Sequence, residues 1–186
     1  MRRLILSMHV SLDGFTAGPN GEMDWIKLDP ALFDFVGKLT DTADAALFGR
    51  ITYEMMQSYW PTAADKPNAT RHDKEHAAWY KKVHKYVLSR TLDGSDLNNT
   101  TIISDNLVTN IQKLKQQQGK NIMIFGSPSA SHALTAQCLI DDYWLFVNPI
   151  LLGRGIPVFK NITERINLKL LESKTFSDVI GLHYSK

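Results

Sequence analysis

The chain of 186 residues contains a single cysteine, Cys138. No intrachain disulfide can form, and a cysteine-based zinc site is excluded. Long apolar runs are missing too. The longest, such as Leu145–Val147 and Pro149–Leu152, fall far short of the roughly 18 residues that span a bilayer. Neither sign of charge is in excess: 21 Lys and Arg face 19 Asp and Glu, for a net +2 at pH 7. The basic residues are scattered and not interleaved with stacking aromatics, so the nucleic-acid footprint is absent. No G-x-G-x-x-G fingerprint occurs, which leaves an ordinary Rossmann reading unsupported. The opening Met1–Leu6 begins like a signal peptide, but Ser7, His9 and Asp13 break it and no small-residue cleavage site follows. A reduced, cytoplasmic compartment without a membrane partner is expected. What remains is 44% hydrophobic and 22% charged, the mixture of a soluble globular domain.

Residues 5–11 are apolar and β-branched enough for a strand, and Asp13-Gly14 follows as a turn signal. Residues 13–24 read as a loop around Gly18-Pro19-Asn20-Gly21. Asp29 then caps a helix with Pro30 at its first position, and Leu32, Phe35, Val36 and Leu39 form its apolar stripe. A short strand over 45–48 ends at Gly49, and a helix from about Thr52 is expected to stop at Trp60-Pro61. An exposed loop over 62–73 and a short helix over 74–82 follow. Strands over 86–89 and 101–104 precede a helix capped by Asp105 and ended at Gly119. Residues 121–125 form a strand running into Gly126-Ser127-Pro128-Ser129 and another helix. Strands over 143–152, 168–176 and 179–183 close the chain, the last two as an antiparallel pair. Strands alternating with helices, then strands alone, predict one α/β domain over residues 1–186, its mostly parallel sheet carrying helices on both faces and antiparallel strands at its end.

In such sheets ligands bind beyond the carboxyl ends of strands, where helix starts face a crevice. Three strand ends here carry the right chemistry. Phe48-Gly49-Arg50-Ile51-Thr52 offers close backbone approach, free N–H groups and a guanidinium. Leu88-Ser89-Arg90 sets a hydroxyl beside a guanidinium, and Phe125-Gly126-Ser127-Pro128-Ser129 again places glycine and hydroxyls at a helix start. Together they describe a site for a ligand with several phosphates, one of them read by arginine. The plain alternatives are ordinary turn glycines, and for Arg50 a surface salt bridge.

His72-Asp73-Lys74-Glu75-His76 matches the inverted zinc-protease pattern H-x-x-E-H. It follows a polar loop, is surrounded by charge and abuts no apolar run, so a solvated helix start is expected and no metal site. Cys138 reads as a buried small residue.

The order Ser11-Leu12-Asp13-Gly14-Phe15, Trp25, Leu47–Glu54, Val87–Arg90 and Ile124–Ser127 resembles the dihydrofolate reductase family. The closing Val147–Phe159 is similar to a subgroup, the C-terminal reductase domain of the bifunctional riboflavin-biosynthesis deaminase-reductase. That resemblance implies NADPH and a hydride transfer. By motif, Gly49, Arg50, Ile51 and Thr52 would hold the 2′-phosphate and pyrophosphate. Leu88, Ser89 and Arg90 would flank the adenosine. Gly126, Ser127, Ser129 and Ala130 would cradle the pyrophosphate, with Ala17 and Gly18 over the nicotinamide. The deaminase partner is absent, because its zinc site needs two cysteines.

The implied substrate is a 5-amino-6-(5-phosphoribosylamino)uracil-type compound. The alternatives are pterin or dihydrofolate reduction, and an NADP-binding module without turnover. Folate reduction wants a carboxylate in the first helix, but Asp29 is its cap and Asp34 lies opposite the apolar stripe. Asp13, Glu22 and Trp25 are better placed to meet substrate. No histidine is expected in the cleft, with His9 in a strand, His132 in a helix and His183 near the end. Asp13 is therefore the favoured proton donor, the alternative being water with Asp13 fixing its turn. The strand over 143–147 is apolar on both faces after the helices run out, and together with the resemblance this predicts a homodimer.

Overall fold

The computed structural model describes residues 1–27, 29–93 and 97–186. Its strands are β1 (Leu4–Ser11), β2 (Phe15–Ala17), β3 (Ala43–Gly49), β4 (His84–Leu88), β5 (Thr100–Ile103), β6 (Asn121–Phe125), β7 (Asp142–Asn148), β8 (Ile156–Pro157), β9 (Lys169–Phe176) and β10 (Val179–Ser185). Five helices intervene: α1 (Pro30–Asp41), α2 (Arg50–Ala63), α3 (Arg71–Lys82), α4 (Leu107–Gln116) and α5 (Pro128–Ala136). Eight strands form one sheet in the order β5-β4-β3-β6-β1-β7-β10-β9, while β2 and β8 pair as a separate ribbon. β1 lies parallel to both β6 and β7, and β10 runs antiparallel to β7 and β9. This is the α/β, mostly parallel, dihydrofolate-reductase-like architecture expected from the sequence.

The strand alternation divides the core in two. Leu4, Leu6, Met8 and Val10 of β1 pack with Ile111 and Leu114 of α4 and Leu134 of α5. Ile5 faces the other way, into a layer with Leu32 of α1, Tyr53 of α2 and Tyr80 of α3. Helices therefore cover both faces. α1 forms where the cap predicts: Asp29 accepts a hydrogen bond from the Leu32 N–H at 2.9 Å, with Pro30 opening the helix.

Several expected boundaries move. α2 starts at Arg50 and continues through Pro61 to Ala63, because Trp60 and the fully buried Ala63 anchor its last turn against the body. α3 starts at Arg71, inside the expected loop, on a capping box in which Thr70 and Asp73 bond each other's backbone N–H groups. Asn106, not Asp105, occupies the cap of α4, and it does so at φ 43° without a side-chain cap bond. β7 ends at Asn148, well short of the expected Leu152. Cys138 is exposed, not buried.

The two-faced β7 is covered on one side by its own chain. Trp144 and Phe146 meet Phe35 of α1 at ring separations of 4.9 and 6.4 Å, and Phe146 also meets Phe176 at 6.3 Å. The parallel topology brings a helix from early in the chain over a strand made late. The other face is less complete, with Leu145 and Val147 half-buried and Ile180 45% exposed beside Val147.

The loop after β1 is stapled to the segment after β7. The Leu12 N–H donates to the Ile150 carbonyl at 2.8 Å, and the Val158 N–H to the Gly14 carbonyl at 2.9 Å. β2 and β8 then pair across this junction. Gly155 is required there, since a Cβ would come within 2.2 Å of the Ala17 carbonyl oxygen. This ribbon roofs the end of the sheet where the site lies.

Candidate active site

Three helices begin at the carboxyl edge of the sheet, and each begins without a side-chain cap bond: α2 after Gly49, α4 after Asn106 and α5 after Ser127. Helices α1 and α3 are capped by Asp29 and Thr70. Uncapped starts leave N–H groups free for an anion and put the positive end of the helix dipole toward it. Between them, the Gly49 N–H donates to Ser127 Oγ at 2.6 Å. A Cβ at Gly49 would sit 3.0 Å from Ser129 Oγ and 3.2 Å from Ser127 Oγ, so glycine keeps β3 and α5 this close.

Two depressions flank this junction. One is a groove lined by Gly49, Leu88, Ser89, Arg90, Asn106, Ser129 and Ala130. The other is a cleft of about 340 Å³ under the ribbon, lined in part by Ala17, Ile51, Thr52, Gly126 and Ser127. Eleven of the thirteen residues proposed from sequence for a cofactor thus line one or other depression. Gly18 and Arg50 do not. Gly18 borders a shallow third groove together with Glu22, Trp25 and Arg154. Arg50 lies on the outer face of α2, where its guanidinium meets both carboxylate oxygens of Glu54 at 2.9 and 3.0 Å. Both partners are exposed, so the pair contributes at most about 1 kcal/mol and is readily exchanged.

The residues chosen to meet substrate stand apart from the cleft. The Asp13 carboxylate accepts hydrogen bonds from Ser11 Oγ at 2.6 Å, the Gly153 N–H at 2.7 Å and the Leu152 N–H at 3.1 Å. These bonds hold it below the usual carboxylate range, Ser11 contributing most. It latches the β1 loop to the segment after β7. Glu22 turns back on its own loop, accepting from the Asn20 N–H at 2.9 Å and Asn20 Nδ2 at 2.7 Å. Trp25 Nε1 donates to the Glu22 carbonyl at 3.0 Å. Asp34 is exposed on α1, as its helical position predicts.

The cleft holds what sequence reasoning excluded from it, three histidines: His9, His72 and His76. His9 follows Ser7 at a spacing of two on β1, so both point into the cleft from one face of the strand, a polar alternation that was legible. Asn148, fully buried, orients it. Asn148 Oδ1 accepts from the Lys27 N–H at 3.1 Å, so Nδ2 is the atom 3.3 Å from His9 Nδ1, which leaves the His9 proton on Nε2. Burial lowers the His9 pKa to about 4.

His72 and His76 correct the expectation of a solvated helix start. His76 is 7% exposed, 4.1 Å from the Trp60 ring and 5.7 Å from that of Phe125. Its Nδ1 is buried without a hydrogen-bond partner among the described residues. Burial pushes its pKa down to about 3, with the neighbouring His72 a smaller contributor. Glu75, by contrast, is exposed and bonded to Arg71 at 2.7 Å, so it does not join the two histidines. Among the described residues, no group of three or more His, Cys, Asp or Glu could hold a metal ion.

The RibD C-terminal domain family model matches residues 2–182. The chain belongs to that family. It is also 38% identical to the uncharacterized protein YyaP of Bacillus subtilis over 181 residues, 95% of this chain and 90% of that one. Among solved structures, a RibD-type neighbour is a putative riboflavin biosynthesis protein from Shewanella sp. PV-4. It has a TM-score of 0.72 at 22% identity, covering 100% of this chain and 98% of that chain. The diaminohydroxyphosphoribosylaminopyrimidine deaminase/5-amino-6-(5-phosphoribosylamino)uracil reductase of Thermotoga maritima aligns at 0.68 and 15% identity. It covers 99% of this chain but 56% of that longer one. Membership of this reductase family makes the RibD-like chain an oxidoreductase by kinship. Among its described residues, no helix is long and apolar enough to cross a membrane.

The buried histidines of this RibD-like cleft carry a pH signature. Both are neutral in the folded chain, whereas an ordinary histidine titrates near 6.5. The unfolded chain therefore takes up protons first as pH falls through 6.5. Stability is complete above that pH and is lost toward 4 and 3. Moving from pH 7 to pH 5 should cost about 2 kcal/mol per histidine in urea unfolding. His76→Phe should remove its share of that slope, and an unchanged slope would show that His76 is not neutral when folded.

Proposed function

We propose that this chain is an NADPH-dependent reductase that delivers a hydride to the carbon of a C=N or C=O bond in a small ring compound held in the cleft. The observation that carries this reading is the set of three uncapped helix starts converging on two adjoining depressions, one of mixed lining and one largely apolar. A dinucleotide fits that layout. Its phosphates would lie over the uncapped starts of α2 and α5, beside Gly49, Ser127 and Ser129, and its adenosine in the groove beside Leu88, Ser89 and Arg90. Ala17 would roof the nicotinamide in the cleft. The cofactor supplies the hydride and leaves oxidised.

The protein supplies orientation and a route for the proton that the substrate nitrogen or oxygen must gain. We assign that proton to water, with the His9 Nε2–H among the hydrogen-bond donors of the cleft wall. Asp13 is held ionised by its three hydrogen bonds, which suits a latch and not a donor. A pterin substrate lacks its expected partner, since no carboxylate belongs to the described residues lining the cleft. We further propose that the chain works in the cytoplasm as a homodimer, joined through the half-covered face of β7 and β10.

Oxidation of NADPH followed at 340 nm with candidate substrates separates an enzyme from a module that merely binds nucleotide. If Arg50 leaves Glu54 for the 2′-phosphate, Arg50→Ala should weaken NADPH binding by about 2 kcal/mol and NADH little. Equal losses would remove Arg50 from phosphate recognition. Asp13→Asn should keep near-normal turnover, and its abolition with NADPH binding intact would restore Asp13 as the acid. Light scattering at micromolar concentration should give twice the 21.0 kDa chain mass; a monomer there would refute the dimer.

A further inference from the structure

The cleft has no formal charge in its walls. Among the described residues lining it there is no Lys, Arg, Asp or Glu. α1, α2 and β6 contribute Phe33, Met56, Trp60 and Phe125, and the loop before α1 adds Met23 and Ile26. Its three histidines are pushed toward the neutral form by burial. Arg154 lies outside, in the shallow groove, where Glu22 and Asp24 accompany it. Lys27 is paired with Asp178. A phosphate or carboxylate brought against Phe33, Met56, Trp60 and Phe125 would lose its hydration and meet no charged side chain among the described lining residues, which is unfavourable. Aromatic rings and methionines, in contrast, receive flat apolar rings well. The volume of about 340 Å³ must hold the nicotinamide ring as well, which leaves room for one small flat compound.

We infer that the substrate is an uncharged, flat, unphosphorylated carbonyl or imine compound, distinct in class from a phosphoribosylated aminopyrimidine. This rests on the reductase reading and narrows it. The Nδ1 of His76, whose ring packs 4.1 Å from that of Trp60, is buried without a hydrogen-bond partner among the described residues, so it adds no exposed polar atom to this wall. In the reaction the carbonyl carbon gains a C–H bond from the nicotinamide hydride, the oxygen gains a proton from water, and the nicotinamide is oxidised.

The test uses the whole chain with no nucleotide added, so that binding is read without turnover and without the positive charge of an oxidised nicotinamide. The probes are 2-naphthaldehyde and 6-formyl-2-naphthoate, which share ring and carbonyl and differ by a carboxylate. Calorimetric titration should show the aldehyde without the carboxylate binding at least about tenfold tighter, with little change on adding salt. Met56→Lys, checked for folding by circular dichroism, should reverse that preference. A third titration uses 5-amino-6-(5-phosphoribosylamino)uracil, and tight binding abolished by Arg154→Ala would overturn the inference. Equal affinity for the two naphthaldehydes, preference for the carboxylate, or no binding of either would overturn it as well. NADPH binding is titrated separately. Its failure sinks the reductase reading, while NADPH binding with the wrong probe preference sinks only the substrate class.

Discussion

Parallel strands all finish at the same edge of a sheet, and every other feature of this molecule follows from that constraint. β1 is flanked by parallel β6 and β7, and β3, β4 and β5 continue in the same sense on one side. α2, α4 and α5 therefore start where a strand has just ended. α2 and α5 start side by side, close enough for the Gly49 N–H to reach Ser127 Oγ. Because their first N–H groups are left uncapped, the carboxyl edge is electropositive without needing many basic side chains. Backbone supplies the polarity there.

The apolar half of the site is built differently. Its walls come from α1, α2, α3 and β6, and its roof from the β2–β8 ribbon. The roof stays in place through the Asp13 latch and the backbone bonds from Leu12 and Val158. Asp13 thus acts on the cleft from outside it. His76 and His9 sit where a neutral ring costs little and a charged one costs much, so the cleft keeps its low polarity at neutral pH.

Local signals were strong wherever a residue answers to its own neighbours in sequence. Asp29 with Pro30, the stripe from Leu32 to Leu39, and the strand ends at Gly49 and Gly126 all stand as read. What was not legible depends on partners far along the chain. Nothing near His76 says that Trp60 and Phe125 will close over it. Charge on both sides of it argued for solvent, yet the exposed Arg71 and Glu75 occupy one face of α3 while His72 and His76 turn to the other. Likewise, only the topology reveals that α1 covers Trp144 and Phe146. Glu22 and Asp13 look chemical in sequence because carboxylates near a strand end can do either job; the bonds that decide otherwise come from Asn20, from Ser11 at the end of β1, and from the distant Leu152 and Gly153 N–H groups, which carry no periodic signal.

The position of β1 also sets a timetable for synthesis. Of the strands described it is made first, yet its neighbours are residues 121–125 and 142–148. Until those arrive, an eight-residue apolar strand has both edges open, the state most prone to pairing with another chain. Such non-local pairing makes for slow folding. The roof comes later still, because β8 is translated after every helix and after β7. A nascent chain can therefore fold its helices early, but it acquires a closed cleft only once residues 156–157 are made, so a stop before β8 would leave the helices without the ribbon that roofs the cleft.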